Sequence, residues 1–414
     1  MDEIARRYLL LTLRLARHAP EKLDFYAGPR ELQEAVAAEQ PSPLAELHGE
    51  AVRLRELVAD LPDAAGPDAR RKAWLSAQLT AHDAMARLLD GQEIGFVDGV
   101  DALFAVPVEA EPASAFAAAH RQLEAVMPGN GSLRDRLAAH DLATRLDPEQ
   151  VVAVTSGIAD VLRERARQDF GLPAGESVEF AGVRDRSWSA YAWYQGQFRT
   201  RIELNLDRPT TLAVAVMLAA HEGYPGHHVE RATKEAALVE DMQRHEATIG
   251  WLYAPEATIS EGLGDVAREV VLSDQELGDV LRHTVRELGV AMAPDVVERE
   301  AVVEPARVVL RRASATAAIA LHRDRLPEAE VRALLAEQGL YTDERIERTM
   351  RIISDPWEGG FELTYVAGAR LIREWLAVQG QTSGFARLLA EQLTPDLLRA
   401  ELGEPPPLFP GSLV

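Results

Sequence analysis

Two short stretches carry side chains whose types and spacing suit metal chemistry. The first reads His221-Glu222-Gly223-Tyr224-Pro225-Gly226-His227-His228, and the second, Glu261-Gly262-Leu263-Gly264-Asp265, begins forty residues after His221. A catalytic Zn²⁺ takes three protein ligands at about 2.0–2.2 Å and keeps a fourth position for a water whose pKa it lowers to about 7. His221 and Glu222 supply the opening of an H-E-x-x-H motif, in which the histidine binds metal and the glutamate acts as general base. The second histidine of that motif belongs at i+4, one turn along the same helix face. Here i+4 is Pro225, and the next histidines stand at i+6 and i+7. On an unbroken helix these lie roughly 9 and 10.5 Å further along the axis, too far to share an ion with His221. The helix must therefore deform. Pro225 lacks an N–H and its ring clashes with the carbonyl of residue 221, while Gly223 and Gly226 give the flanking backbone unusual freedom. A sharp turn after Tyr224 swings His227 back toward His221 and leaves His228 facing the other way, behind the ligands or toward a substrate. Glu261 is the expected third ligand. Asp265, one turn later, falls where a carboxylate accepts the free ring N–H of a zinc histidine.

A downstream E-x-x-x-D serving an upstream H-E helix is the arrangement of the glutamate-zincin peptidases. The chain resembles the bacterial domain-of-unknown-function family 885, whose members carry H-E-x-x-P-G-H-H followed by an E-G-x-x segment and are grouped with the zincin-like metallopeptidases. The resemblance extends to Tyr26-Ala27-Gly28-Pro29, Trp188-Ser189-Ala190-Tyr191, Tyr365-Val366-Ala367-Gly368 and Glu391-Gln392-Leu393-Thr394-Pro395. It departs where relatives read E-G-W-A-x-Y and this chain has Glu261-Gly262-Leu263-Gly264-Asp265-Val266. The resemblance implies a mainly α, zincin-like helical metallohydrolase with a small β-sheet beside the motif helix and a deep cleft. It implies Zn²⁺ on His221, His227 and Glu261, peptide-bond hydrolysis, and Glu222 as general base. Tyr365, placed just after a Gly359-Gly360 turn at the start of a helix, matches a tyrosine of the family pattern. A phenol there would stabilise the oxyanion formed when water attacks a carbonyl. Two rivals stand beside this reading: an amidase or hydrolase of a small non-peptide metabolite, and a non-enzymatic binding protein with a vestigial metal site. Glu222 argues against the second, because a purely structural site needs no base.

The surrounding elements must position these residues. Pro209-Thr210 introduces an uninterrupted apolar run over 212–220, the pattern of a buried helix carrying His221 and Glu222 inward. Residues 189–206 are rich in aromatic and β-branched side chains around Gln195-Gly196-Gln197, which reads as two strands and a tight turn. In the second strand Phe198, Thr200, Ile202 and Leu204 alternate with Arg199, Arg201, Glu203 and Asn205, the period of a half-buried strand. An edge strand of such a sheet can hold an extended peptide by β-augmentation, so Tyr191, Arg199 and Arg201 are expected substrate contacts. Helical periodicity covers 2–17, 29–39, 43–61, 68–89, 114–126, 131–139 and 147–170, with a loop over 91–109. It resumes over 229–253, to 271, and over 274–292, with Pro305 opening a further helix to 320. Helices over 327–339, 342–354, 364–379 and 395–402 complete the chain. The expected division is a helical lobe over 1–174 and a zincin-like catalytic region over 175–414.

Composition sets outer bounds. A chain of 414 residues with 47% hydrophobic and 27% charged residues is ordinary for a soluble globular protein and long enough for two lobes around a cleft. The net charge of −22 argues against nucleic-acid binding, which needs a basic footprint. The absence of cysteine excludes disulfides, thiolate metal ligands and cysteine nucleophiles. The longest early apolar stretch, residues 8–13, is too short for a signal segment or membrane span, so a cytoplasmic protein without a membrane partner is expected. The expected partner is a peptide or small amide substrate; the oligomeric state is not legible.

Overall fold

The apolar run ahead of the motif forms a fully helical segment, Leu212–Leu218, continued by a wider π-type turn over Ala219–Gly223. This is seen in a computed structural model that describes residues 1–186 and 188–404. Thr211 caps the start of the helix by accepting from the Val214 backbone N–H, and Leu212, Ala215, Val216 and Leu218 are buried. Helices dominate the rest of the chain, with a small three-stranded sheet beside the motif helix.

That sheet has the order Ser177–Val183, Arg199–Asn205, Ala190–Tyr194. The second and third pair antiparallel as the expected hairpin, and the first joins the other side in parallel. Thr200, Ile202 and Leu204 are buried, as alternation requires. The strand bearing Arg199 and Arg201 is therefore central, which removes it from β-augmentation. Ser177–Val183 escapes a sequence reading because its polar Ser177 and Glu179 and its Gly182 weaken the strand pattern.

Elsewhere tertiary context redraws four elements. The expected loop over 91–109 holds a helix, Phe96–Phe104, that buries Val100, Leu103 and Phe104. The expected helix over 229–253 ends early. His227–Lys234 is followed by a wide turn, Glu235–Asp241, a 3₁₀ turn, His245–Thr248, and a strand, Ile249–Trp251, that pairs antiparallel with Leu23–Tyr26. Strand pairing across such a sequence separation leaves little local signal. Pro305 does not open a helix but lies within Pro294–Arg311, and Ala313–His322 follows separately. The helix expected over 364–379 begins earlier and spans Pro356–Gln379.

Two apolar clusters form the core. The first joins Tyr8, Trp74 and Phe104 to Tyr253, Ile319 and Met350; the second joins Ile158, Ile202 and Val216 to Leu263, Trp375 and Leu398. Each cluster draws residues from both sides of residue 174. The Glu261 helix, Pro255–Val271, crosses Pro356–Gln379 with Gly262 and Gly368 backbone to backbone, which brings Tyr365 toward the motif. No helix among the described residues is long and apolar enough to cross a membrane.

Candidate metal centre

The deformation demanded by the motif spacing takes place at the π-type turn. The Tyr224 N–H donates to the Ala219 carbonyl at 3.0 Å and the Gly226 N–H to the Ala220 carbonyl at 2.9 Å, so the backbone widens and then reverses. The Tyr224–Pro225 peptide is cis. At Gly226 a Cβ would stand 1.9 Å from the His221 carbonyl oxygen, so no other residue fits this approach. A new helix, His227–Lys234, then starts alongside the first.

The result brings the expected ligands together. One ligand atom from each of His221, His227 and Glu261 lies within 4.8 Å of the others, and all three residues are buried. His221 Nε2 is 3.1 Å and His227 Nε2 3.8 Å from Glu261 Oε2, and the two imidazoles meet edge to face at 4.6 Å. Two imidazoles and one carboxylate are the donor set of a zinc site that keeps an open position. Behind His221, Asp265 Oδ1 lies 3.4 Å from Nδ1, at the outer limit for a hydrogen bond; that buried nitrogen is otherwise without a partner. Asp265 therefore stands where the ring N–H must be received once Nε2 serves a metal.

Behind His227 the support is more elaborate, and the sequence reading missed it. Ser260 Oγ lies 3.1 Å from His227 Nδ1 and donates to Glu230 at 2.6 Å; Glu230 pairs with Lys234 at 2.7 Å, which also reaches Glu256 at 2.8 Å. Glu230 stands at i+3 from His227 and Lys234 at i+4 from Glu230, a helix-face spacing that gives the available signal. A cavity of about 50 Å³ borders Glu261, Ser260 and Glu230.

His228 faces away. Its Nδ1 lies 2.8 Å from Thr200 Oγ1 on the central strand and its Nε2 3.0 Å from Glu176. Glu176 also accepts from Tyr224 at 2.7 Å and from Arg163. Burial raises the Glu176 pKa, but the bonds from His228, Tyr224 and Arg163 prevail and hold it at about 2. His228 thus ties the motif turn to the sheet with both ring nitrogens engaged.

Glu222 is half-buried and its carboxylate makes no hydrogen bond or ion pair among the described residues. Tyr365 sits well inside its helix rather than at the start, because Gly359 and Gly360 are themselves helical and packed; its ring centroid is 6.1 Å from that of His221. Burial, then the charges of Glu261, Glu362, Asp265 and Glu222, push the Tyr365 pKa far up, so it is a hydrogen-bond donor at neutral pH. Tyr191 lies on the edge strand, donates to Asp24 at 2.8 Å and feels the Glu222 charge; Asp24 is in turn paired with the buried Arg231 at 2.6 Å. Arg199 and Arg201 alternate with Thr200, which faces His228, and so lie on the opposite side of the strand. Arg201 is ion-paired there to Glu179 and Glu203, so neither arginine joins the ligand cluster.

Charge balance in the cluster gives a pH dependence. Burial alone lowers the His221 pKa, yet Asp265 and Glu261 outweigh it and raise it well above the ordinary value. For His227, burial and the His221 charge are outweighed by Glu230 and Glu261, again a rise. Burial raises the Glu261 pKa, but bonds to the two histidines hold it well below the carboxylate range. Zinc needs neutral imidazoles. Binding must therefore displace protons, and affinity rises with pH through the neutral range. Calorimetric zinc titrations near pH 7 in buffers of different ionisation enthalpy are expected to show release of about one proton or more; heat independent of the buffer would contradict the assignment.

Gly264 supplies a second test. A Cβ there would stand 2.6 Å from the His221 ring, so Gly264→Ala must push the imidazole away from Glu261. We expect zinc affinity to fall by about 10–100-fold, the usual effect of disturbing a ligand's support. Unchanged affinity by competition with a chromophoric chelator would show that the ring has room to move.

No family model and no curated protein sequence matches the chain. Among solved structures, the chain is similar to "the putative lipoprotein from Colwellia psychrerythraea", with 15% identity, a TM-score of 0.53, and coverage of 90% of this chain and 72% of that one. It is also similar to "a putative lipoprotein of unknown function from Shewanella oneidensis", with 12% identity, a TM-score of 0.48, and coverage of 90% and 76% respectively. At 15% identity, the likeness to the Colwellia psychrerythraea protein shows a common fold and nothing about activity.

Proposed function

We propose that the chain is a zinc-dependent hydrolase that cleaves peptide bonds. The observation that carries this reading is the convergence of His221, His227 and Glu261 beside a carboxylate, Glu222, that is committed to no other group. The resemblance in the motif segments points the same way. A zinc ion held by the three ligands supplies Lewis acidity toward a carbonyl and makes a water more acidic.

Every other function belongs to the chain's own side chains. Glu222 accepts a proton from the attacking water and returns it to the leaving amine. Tyr365, kept protonated by its acidic neighbours, donates its O–H to the carbonyl oxygen as negative charge develops there. Asp265 holds the His221 ring through Nδ1, and Ser260 with Glu230 holds His227. The edge strand Ala190–Tyr194 borders the sheet where an extended peptide can lie, with its Ala192 carbonyl already accepting from Arg231 at 2.7 Å.

The test is hydrolysis of a library of short peptides blocked at either end. Cleavage should disappear with a chelator and return with zinc. Cleavage of small amides alone, with every peptide untouched, would replace the peptidase by an amidase of small metabolites. Cleavage indifferent to chelation would remove the metal from the mechanism.

A further inference from the structure

A cavity of about 430 Å³ opens on the same helix that delivers His221. Val214, Met217 and Leu218 form part of its wall, and with His221 they make an i, i+3, i+4, i+7 stripe. Met217 is one helical turn, about 6 Å along the axis, from His221. A second, narrower cavity shares Met217 and Arg311 with the large one and ends on Gly264 and Asp265, against the His221 ring. The large cavity thus approaches the candidate metal centre from behind His221, on the Nδ1 side held by Asp265.

Its charge is opposite to that of the protein. Arg145, Arg208, Arg307, Arg311, Arg345 and Arg348 line it, against the acids Asp141 and Glu344, in a chain whose net charge is −22. Arg307 is neutralised by Asp141 at 2.5 Å, and Arg311 by Glu304 at 3.0 Å. Among the described residues Arg345 and Arg348 have no carboxylate partner within ion-pair distance. Arg345 instead lies over the Tyr341 ring, 3.6 Å from its centroid, which fixes the guanidinium at the cavity wall. Burial, then Arg208 and Arg345, depress the Arg348 pKa; Glu344 opposes them and Arg351 adds to the fall, so positive charge prevails around this guanidinium. Uncompensated guanidinium groups in a concave site are suited to bind a carboxylate or phosphate through paired N–H donors. A volume of this size accommodates a small organic molecule rather than a bare ion.

We infer that the arginine-lined cavity receives the anionic group, carboxylate or phosphate, of the molecule hydrolysed at the metal centre, with Arg345 and Arg348 as its contacts. This rests on the hydrolase reading for the identity of the neighbouring centre, but anion capture itself needs no metal. A peptide presenting its free C-terminal carboxylate fits the arrangement, and so does a phosphorylated amide.

The experiment measures equilibrium binding to the full chain in the presence of a chelator, so that no turnover or metal contact intervenes. The probes are N-acetyl-dialanine, its C-terminal amide, and inorganic phosphate. The acid or phosphate should bind, more weakly as salt rises, and the amide should bind about tenfold or more worse, the worth of one charged hydrogen bond. Arg345→Gln with Arg348→Gln should cost the bound anion a further tenfold or so. Arg348→Lys, which keeps the charge, should retain more affinity than Arg348→Gln, and Arg351→Gln, outside the cavity wall, should cost less than Arg348→Gln. Phosphate binding without carboxylate binding supports the site and assigns it to phosphoryl groups. Equal binding of acid and amide, binding of neither anion to folded protein, or full affinity in the double variant would overturn the inference. Lack of zinc or of hydrolysis overturns the hydrolase reading and leaves these binding arms untouched.

Discussion

Glu222→Gln is expected to lower hydrolysis by roughly 10²–10⁴-fold, the usual contribution of a positioned acid–base group, while zinc content and melting temperature hold. Glutamine keeps the shape of the side chain and removes its basicity. Because the Glu222 carboxylate bonds to no described residue, the exchange strands no buried partner and should cost little stability. The measurement is kcat on a good peptide substrate, beside metal analysis and a melting curve of the same preparation. A variant that turns over at the parent rate would show that Glu222 is not the base. A variant that loses zinc would instead make Glu222 a ligand or a support of one.

The two adjacent histidines should separate cleanly. His227→Ala removes one of three ligands and is expected to weaken zinc by more than about 100-fold, beyond the usual effect of an outer partner. His228→Ala should keep most of the zinc affinity, since both ring nitrogens of His228 are engaged by Thr200 and Glu176 on the far side of the turn. Its cost appears in stability, about 1–3 kcal/mol for unpartnered buried polar groups. Glu176 keeps Tyr224 and Arg163, which places the loss toward the lower end. Zinc titrations and melting curves of both variants decide the matter. The reverse ranking would mean that the turn presents His228 to the metal.

The centre was more legible than the frame around it, for a physical reason. Pro225 and Gly226 forbid a continuous helix, and ligand chemistry then demands that one histidine return to His221; both constraints are local and can be read from spacing. The Glu261–Asp265 pair is likewise one helical turn. What sequence reading missed depends on partners distant in the chain. Ser177–Val183 becomes a strand by joining Arg199–Asn205, which makes the latter central and turns Arg199 and Arg201 away from the cluster. Ile249–Trp251 needs Leu23–Tyr26, and Tyr365 reaches the motif through the crossing at Gly262 and Gly368 rather than by heading a helix. Glu176 and Arg231, which brace the turn and the edge strand, have no spacing signal because their partners come from other elements. The arginines of the large cavity are gathered from segments between residues 145 and 348, so their common field emerges only from the fold.

The central claim is that His221, His227 and Glu261 hold one zinc ion. Elemental analysis of the full chain, purified without chelator and then equilibrated with zinc and desalted, tests it most directly. The account predicts close to one zinc per chain, removable by chelation and restored on re-addition, and lost in Glu261→Ala. A folded protein that contains no zinc and takes up none, or that holds zinc equally well without Glu261, would contradict it.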